Sequence, residues 1–592
     1  MRIVIEDFPY DEQKLREVVP ARMLDFPNKK GEIRPPYVGY CYNPEINDCI
    51  FFLPKVVLTK DIEDEKDETG LGLVFDKYNP TDLLDFDNKK LDDADRKFLQ
   101  NFAIWIYRAI SVFYKQNDTT IVSRHSYVGV DASAKKKEGT LIDVILSLIR
   151  FAKEHRDFVM FEIKNIHSGY NRVNWRKTIS HQIPTKQGKA PVYLNPINKK
   201  KQIDFDEELF VIYFSILEYV HKQFNFPVEI NCNYETIKSA EFRHYLNGYG
   251  KIRLRQIKYK YFSDTALKLW NLCYKFFENT DRLNSTHKVE DFLIAKDFNI
   301  VFESIIESLL GEEVPKGFKE QYDGKRIDHI YPYNALVHSE DNIYHIADSK
   351  YYKVGSSIGK ESIYKQYTYA KNVIQLTLNI LFGKGDMETK KRNGYIPYRD
   401  EITEGYNITP NFFISAKIES EDSGERYSYS NDNLTPHNVN DKGNPIMKYR
   451  IYQFENRLFD RDTLILSHYD INFLYIIALY GKNNQFEQES FRVRARKIFR
   501  DFAIRLLSDY YTFYKVDTTP DSIKGFVDSH FRELSGKLFH YNDSLVLALE
   551  NGHEQTPIIL DKYKNILLSL IHISEPTRLL RRAFSVLSCE KK

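Results

Sequence analysis

Arg326-Ile-Asp-His-Ile-Tyr331, followed across a polar turn by Ile343-Tyr-His-Ile-Ala-Asp-Ser-Lys-Tyr-Tyr352, is the stretch on which the reading of this chain turns. Both runs are rich in β-branched and aromatic residues, the composition of half-buried strands. On an extended strand successive side chains alternate faces, so Asp348 and Lys350 project to one side while Ser349 turns away. Asp328 on the preceding run adds a second carboxylate. Two acidic oxygens and an ammonium converging on one point suit a Mg²⁺ ion held by Asp328 and Asp348, with Lys350 beside a scissile phosphate.

The spacing by itself is common here. A carboxylate two residues before a lysine recurs at Glu12/Lys14, Asp64/Lys66, Asp87/Lys89, Glu162/Lys164 and Asp323/Lys325. In a chain with 28% charged residues, most such pairs are solvated surface. Asp64 and Asp87 lie in acidic stretches with no apolar run around them. Glu162 is the fairest competitor, on the strand-like run Phe158 to Lys164, but a long apolar helix precedes it where an Asp-bearing strand is needed.

The flanks of Asp348 distinguish it. Asn299 can cap a helix whose apolar positions Val301, Phe302, Ile305, Ile306 and Leu309 recur at helical spacing, with Gly311 and Pro315 as the stop. Three strand-like runs follow, Arg326 to Tyr331, Asn334 to His338 and Ile343 to Tyr352. A second amphipathic helix presents Ile363, Tyr367, Ala370, Ile374, Leu378 and Leu381 on one face. Phe412-Phe-Ile-Ser-Ala416 then reads as a buried strand.

Helix, three strands, helix, strand is the order of the PD-(D/E)xK nuclease superfamily, which this segment resembles. The resemblance implies Asp328 and Asp348 as metal ligands and Lys350 as the catalytic lysine. It also implies a Glu on the first helix, Glu303 by its early position, with Glu307 one turn on as the alternative. Gln366, early in the second helix, matches a position that related nucleases place near DNA or the active site. The Pro of the motif name is absent, since Ile327 precedes Asp328. The fold class expected is therefore α/β in an α+β multidomain chain, with a mixed sheet flanked by helices in the C-terminal half.

A narrower resemblance rests on Val38-Gly-Tyr-Cys-Tyr-Asn43, Phe51-Phe-Leu-Pro-Lys-Val56, Phe102-Ala-Ile-Trp-Ile-Tyr-Arg-Ala-Ile110, Asn174-Trp-Arg-Lys-Thr-Ile179 and the Asp328 to Lys350 core. These segments resemble the LlaJI family of restriction endonucleases, similar in role to McrC. The implied function is a Mg²⁺-dependent endonuclease subunit of a phage-defence restriction system, cutting double-stranded DNA with a separately encoded, McrB-like AAA+ GTPase motor. The alternatives are another nuclease on this core, such as a repair nuclease or junction resolvase, or a non-catalytic adaptor between DNA and a motor. No complete phosphate loop is present: Gly355-Ser-Ser-Ile-Gly-Lys-Glu361 is one residue short and ends in Glu where Ser or Thr is needed.

The 592 residues, 42% hydrophobic, are enough for several domains, and a net charge of +2 requires any DNA affinity to be local. Lys251, Arg253 and Arg255 fall at strand alternation and form one candidate phosphate-tracking surface. Arg492, Arg494, Arg496, Lys497 and Arg500 form another on a later helix, suited to DNA or to an acidic partner. The 42 Tyr and 40 Phe suit cores better than a stacking platform. Cys41, Cys49, Cys232, Cys273 and Cys589 form no zinc-spaced cluster, and with no signal peptide or bilayer-length apolar run a reduced cytoplasm is expected.

The organisation expected is an α+β domain over 1–125 that would engage the motor, and a middle region over 126–285 with possible DNA contact. The nuclease domain follows over 286–567, with an exposed loop from Glu419 to Pro445 and helices toward its end. Residues 568–592 open on Leu568-Ser-Leu-Ile-His-Ile-Ser-Glu-Pro-Thr-Arg578, which matches a frame of a sequencing adapter. They are read as adapter read-through, so Arg578, Arg581, Arg582 and Cys589 support no functional argument.

Overall fold

The computed structural model describes residues 1–24, 31–58, 78–85, 91, 93–117, 122–126, 140–166, 172–224, 226–285, 291–321, 323–338, 342–353, 357–381, 398–418, 429–430, 432–447, 449–451 and 455–570. Asp64, Lys66, Asp87, Lys89, Gly355 and the tail 571–592 lie outside them. The architecture is mixed α/β, with several separate sheets.

An N-terminal sheet has the strand order Arg2–Ile5, Asp48–Leu53, Tyr37–Asn43, Asp291–Lys296, Val122–Ser126. The strand just beyond residue 286 thus pairs with two strands of the first 126 residues. Gly39 permits this close pairing: with φ at +140°, a Cβ there would lie 2.2 Å from the Leu293 carbonyl oxygen. The long helix Asp93–Gln116 buries Phe102, Ile106 and Ile110 against this sheet and packs on the helix Phe473–Lys482. One apolar core therefore runs from the N-terminal sheet to the candidate-site sheet.

That second sheet has the order His329–Asn334, Asn342–Lys350, Asn411–Lys417, Leu464–Asn472, Leu434–Pro436, with Tyr449–Ile451 also on Leu464–Asn472. Its first pair is antiparallel and the next two are parallel. The helix Phe298–Leu310 covers one face through Phe298, Val301, Phe302, Ile305, Ile306 and Leu309, all fully buried at the expected helical spacing. Each such side chain contributes about 1.5–3 kcal/mol of burial, so Phe302→Asp, which would also bury an unpaired charge, would weaken the seat of the helix on the sheet. The other face is covered by Lys360–Leu381 through Tyr367, Ala370, Val373, Ile374 and Leu378.

Four local expectations need correction. Asn299 lies inside the first turn of its helix; the cap position is Asp297, at φ +59°. Asn334 to His338 is not a third strand. The Ala335 carbonyl is taken by Arg500 at 3.0 and 2.8 Å, Leu336 and Val337 turn into a neighbouring core, and His338 stacks on Tyr541 at 3.8 Å. Within Glu419 to Pro445, Leu434 buries itself opposite Ile471 and starts an edge strand. Beyond Tyr510 the chain does not continue as helices alone. Asn542, at φ +50°, turns the hairpin between Leu538–Tyr541 and Ser544–Glu550, whose apolar residues from Leu545 to Leu549 are all buried, within a four-stranded antiparallel sheet.

The middle region holds a three-stranded antiparallel sheet, ordered Phe161–Ile166, Asn198–Ile203, Arg172–Val173. Among the described residues, no helix is long and apolar enough to cross a membrane. Cys41, Cys49, Cys232 and Cys273 are free thiols.

Candidate active site

The hairpin register builds the site. His329 pairs with Ala347, which sets Asp328, one residue earlier, beside Asp348. Their carboxyl groups are in hydrogen-bonding contact. Two like charges about 4 Å apart repel by about 4 kcal/mol at an effective dielectric near 20, a cost that a positive charge beside both oxygens relieves. Burial first, then the Asp348 charge and Glu303, push the Asp328 carboxyl well above the usual carboxylate range. Lys350 Nζ sits 2.8 Å from Asp348 Oδ2 and 5.3 Å from the centre of the Phe413 ring, with only 13% of its side chain exposed.

Glu303 and Glu307 take different places. Burial raises the Glu303 carboxyl, the Asp348 charge adds to this, and His329, Lys350 and a hydrogen bond with Asn299 oppose it. Glu303 therefore lies within the field of the Asp328/Asp348/Lys350 group, with Asn299 as its partner.

Glu307 points elsewhere. Its Oε2 accepts from His329 Nδ1 at 2.9 Å, its Oε1 pairs with Lys319, and His329 Nε2 meets the Ser349 hydroxyl. Burial works to raise Glu307, but the bonds from His329 and Lys319 outweigh it and hold the group below the carboxylate range. Ser349, His329 and Glu307 have the order of a hydrolase relay, yet His329 is fully buried and Ser349 is 6% exposed, between sheet and helix. A chain of hydrogen bonds so enclosed ties the strand that follows Asp328 and the strand that carries Asp348 to the helix and serves as a brace. The alternation that turns Ser349 away from Asp348 is what delivers it to this brace.

Gln366 is fully buried, and neither its Oε1 nor its Nε2 has a partner among the described residues. Its backbone carbonyl receives Asn411 Nδ2 at 3.0 Å. Three residues on, and so on a similar face, Tyr369 is raised by burial and by the charges of Asp328 and Asp348.

The cationic candidates form no strand surface. Residues 250–257 are helical, since the buried positions Leu254 and Ile257, followed by Tyr261, keep a spacing of three and four. Lys251 pairs with Asp281, Arg253 with Glu208, and Arg255 donates to Tyr274 Oη at 3.0 Å. Arg492 donates to the Ser308 carbonyl at 2.7 Å. Arg496 is buried, donates to the carbonyls of Leu310 and Gly311, and meets Glu312 Oε2 at 2.6 Å. These two arginines close the C-terminal end of the Phe298–Leu310 helix, where free carbonyls favour a cation.

Exposed cations gather elsewhere. Ile163 to Ile203 contains nine Lys or Arg and no Asp or Glu. A cluster that the sequence reading missed is His437, His468 and Asp470, which converge only because an edge strand pairs with Leu464–Asn472. No family model matches this chain, and no curated protein matches it.

Proposed function

We propose that this chain is a Mg²⁺-dependent DNA endonuclease on a PD-(D/E)xK-like core, the cutting subunit of a phage-defence restriction system driven by a separate AAA+ GTPase. The observation that carries the nuclease reading is the contact between the Asp328 and Asp348 carboxyls, with Lys350 at 2.8 Å and Glu303 in their field. Helix, antiparallel hairpin, helix and parallel strand in this order support it. The restriction role and the motor rest on the resemblance to the LlaJI family.

The donor set fits a hard divalent cation, because two carboxylates in contact at a buried position are stabilised by a cation that binds both. Asp328 and Asp348 would hold it. Bound Mg²⁺ supplies Lewis-acid polarisation of a phosphoryl oxygen and lowers the pKa of water. Lys350 keeps Asp348 oriented and places positive charge where a phosphate gains negative charge. Glu303, lifted by burial, is a carboxyl able to exchange a proton beside the pair. Gln366 offers an amide that a ligand in this region can satisfy.

The test is cleavage of duplex DNA by the full chain with Mg²⁺, alone and with the product of the adjacent gene plus GTP or ATP. Loss of cleavage in Asp348→Ala and Lys350→Ala is expected, and unchanged cleavage in either would overturn the assignment. Cleavage indifferent to any partner would replace the restriction reading with a repair nuclease.

A further inference from the structure

Two strands away from Asp348, on the same face of the sheet, lies a second donor cluster. Asp348 is in register with Phe413, and Phe413 with His468. At about 4.8 Å per strand, His468 is roughly 10 Å from Asp348, with the Phe413 ring between. His468 and Asp470 are two residues apart on one strand and so share that face. His437 arrives from the edge: its backbone N–H donates to the His468 carbonyl at 3.0 Å.

The nitrogen and oxygen donors of His437, His468 and Asp470 all lie within 4.8 Å of one another. His437 Nδ1 is 2.8 Å from Asp470 Oδ1, and His468 Nε2 is 2.7 Å from the Ser415 hydroxyl. The two imidazoles stack with centroids 3.9 Å apart and planes 21° from parallel. Lys417 Nζ stands 4.0 Å from the other Asp470 oxygen. Donors of a tetrahedral metal at about 2.0–2.1 Å sit roughly 3.4 Å from one another, so a donor pair at the 4.8 Å limit would close by about 1.4 Å while His437 Nδ1 and Asp470 Oδ1, at 2.8 Å, would part slightly. A metal must also lie near the plane of each ring, which stacked rings do not allow. One imidazole has to turn about its Cβ–Cγ bond. His437, on the sheet edge with 34% of its side chain exposed, has room to do so, whereas Asp470 is 6% exposed and fixed in the strand.

We propose that His437, His468 and Asp470 form a second metal centre, distinct from Asp328 and Asp348 and selective for a late first-row divalent ion of the Zn²⁺ class. Two imidazoles and one carboxylate favour such ions over Mg²⁺, which takes oxygen donors and resists dehydration. Three protein donors leave a position open to water or substrate, and Ser415, beside both Lys350 and Asp470 in the sheet, lies between the two centres. This inference does not depend on the nuclease reading, because it is tested by binding alone.

The experiment is titration of the chelator-stripped full chain with Co²⁺, read by its visible absorption and by equilibrium dialysis. One equivalent with the intense visible absorption of four-coordinate, nitrogen-ligated Co²⁺ is expected in the parent and in Asp348→Ala, apart from any weakly absorbing Co²⁺ held by the all-oxygen Asp328/Asp348 pair. Binding at least tenfold weaker is expected in His437→Ala, whose exposed side chain can be removed without disturbing the core, and in His468→Gln. Absence of Co²⁺ binding in the parent, parent-like binding in His437→Ala, or loss of binding in Asp348→Ala would each overturn the proposal. Excess Mg²⁺ is expected to leave the Co²⁺ signal in place, and its displacement by Mg²⁺ would refute the selectivity.

Discussion

Glu162/Lys164 and Asp348/Lys350 are the same two-residue pattern on two strands, and in each the ammonium sits 2.8 Å from the carboxylate. What separates them is their surroundings. Side-chain exposure is 32% and 53% for the first pair, against 9% and 13% for the second. Glu162 is held below the usual carboxylate range by Lys164 and Gln202, as a solvated ion pair should be. Asp348 instead meets a second buried carboxyl, and Asp328 is pushed up by the lack of water and by that neighbour. A spacing motif acquires chemistry only when the fold removes solvent and supplies a second charge of the same sign.

The sharpest way to break this comparison is to disable both pairs in parallel. Asp348→Asn or Lys350→Ala should lower Mg²⁺-dependent cleavage by roughly 10²- to 10³-fold or more, while Glu162→Gln and Lys164→Ala should stay within about twofold. Single-turnover plasmid nicking measures both. Equal losses would mean that burial is not what distinguishes the pairs.

The same contrast exists within one helix. Arg496 is buried on the carbonyls of Leu310 and Gly311, whereas Arg494 pairs with Asp432 at the surface. Arg496→Met should cost roughly 2–3 kcal/mol by urea unfolding, because it strands buried acceptors. Arg494→Met should cost no more than about 0.5 kcal/mol. Similar costs would show that the arginine at the helix end is not a cap.

Mg²⁺ at about 100 times its Kd should stabilise the chain by about 2.7 kcal/mol, seen as a rise in Tm. The rise should vanish in Asp328→Ala and persist in Glu162→Gln. A shift retained without Asp328 would place the ion elsewhere.

The last test concerns His345, fully buried on the Asp348 strand with Nε2 3.2 Å from the Asn334 carbonyl. Burial lowers its pKa to about 3. The unfolded chain takes up this proton near pH 6.5 and the folded chain does not. The stability contribution is therefore complete above about pH 6.5 and falls as pH drops toward 3, with a slope of at most about 1.4 kcal/mol per pH unit. His345→Phe should flatten urea midpoints between pH 4 and 6.5, and an unchanged slope would assign the acid sensitivity to other groups.

How much was legible varies with the range of the interactions concerned. The helices over 298–310 and 360–381 follow from local periodicity, because each buries one face, and the strand over 411–417 follows from its unbroken apolar run, because both its faces are covered. Residues 251–255 misled because their cations alternate at period two, whereas the buried Leu254, Ile257 and Tyr261 follow a helix. Asn334 to His338 looked like a strand because its apolar residues serve a core formed by residues beyond Ile408. Glu303 and Glu307 share a helix and nearly a face, and nothing local tells them apart. Only the position of His329 assigns Glu307 to the brace and leaves Glu303 toward the carboxylates.

By itself the sequence determined the alternation that puts Asp348 and Lys350 on one face and Ser349 on the other, since a strand has no other way to place consecutive side chains. It also determined the apolar stripes that press two helices onto that strand's sheet. Only the tertiary structure decided which carboxylates meet, which arginines face solvent and that His437 lies beside His468. Those pairings join residues far apart in the chain, and they depend on strand register and burial that no local pattern encodes.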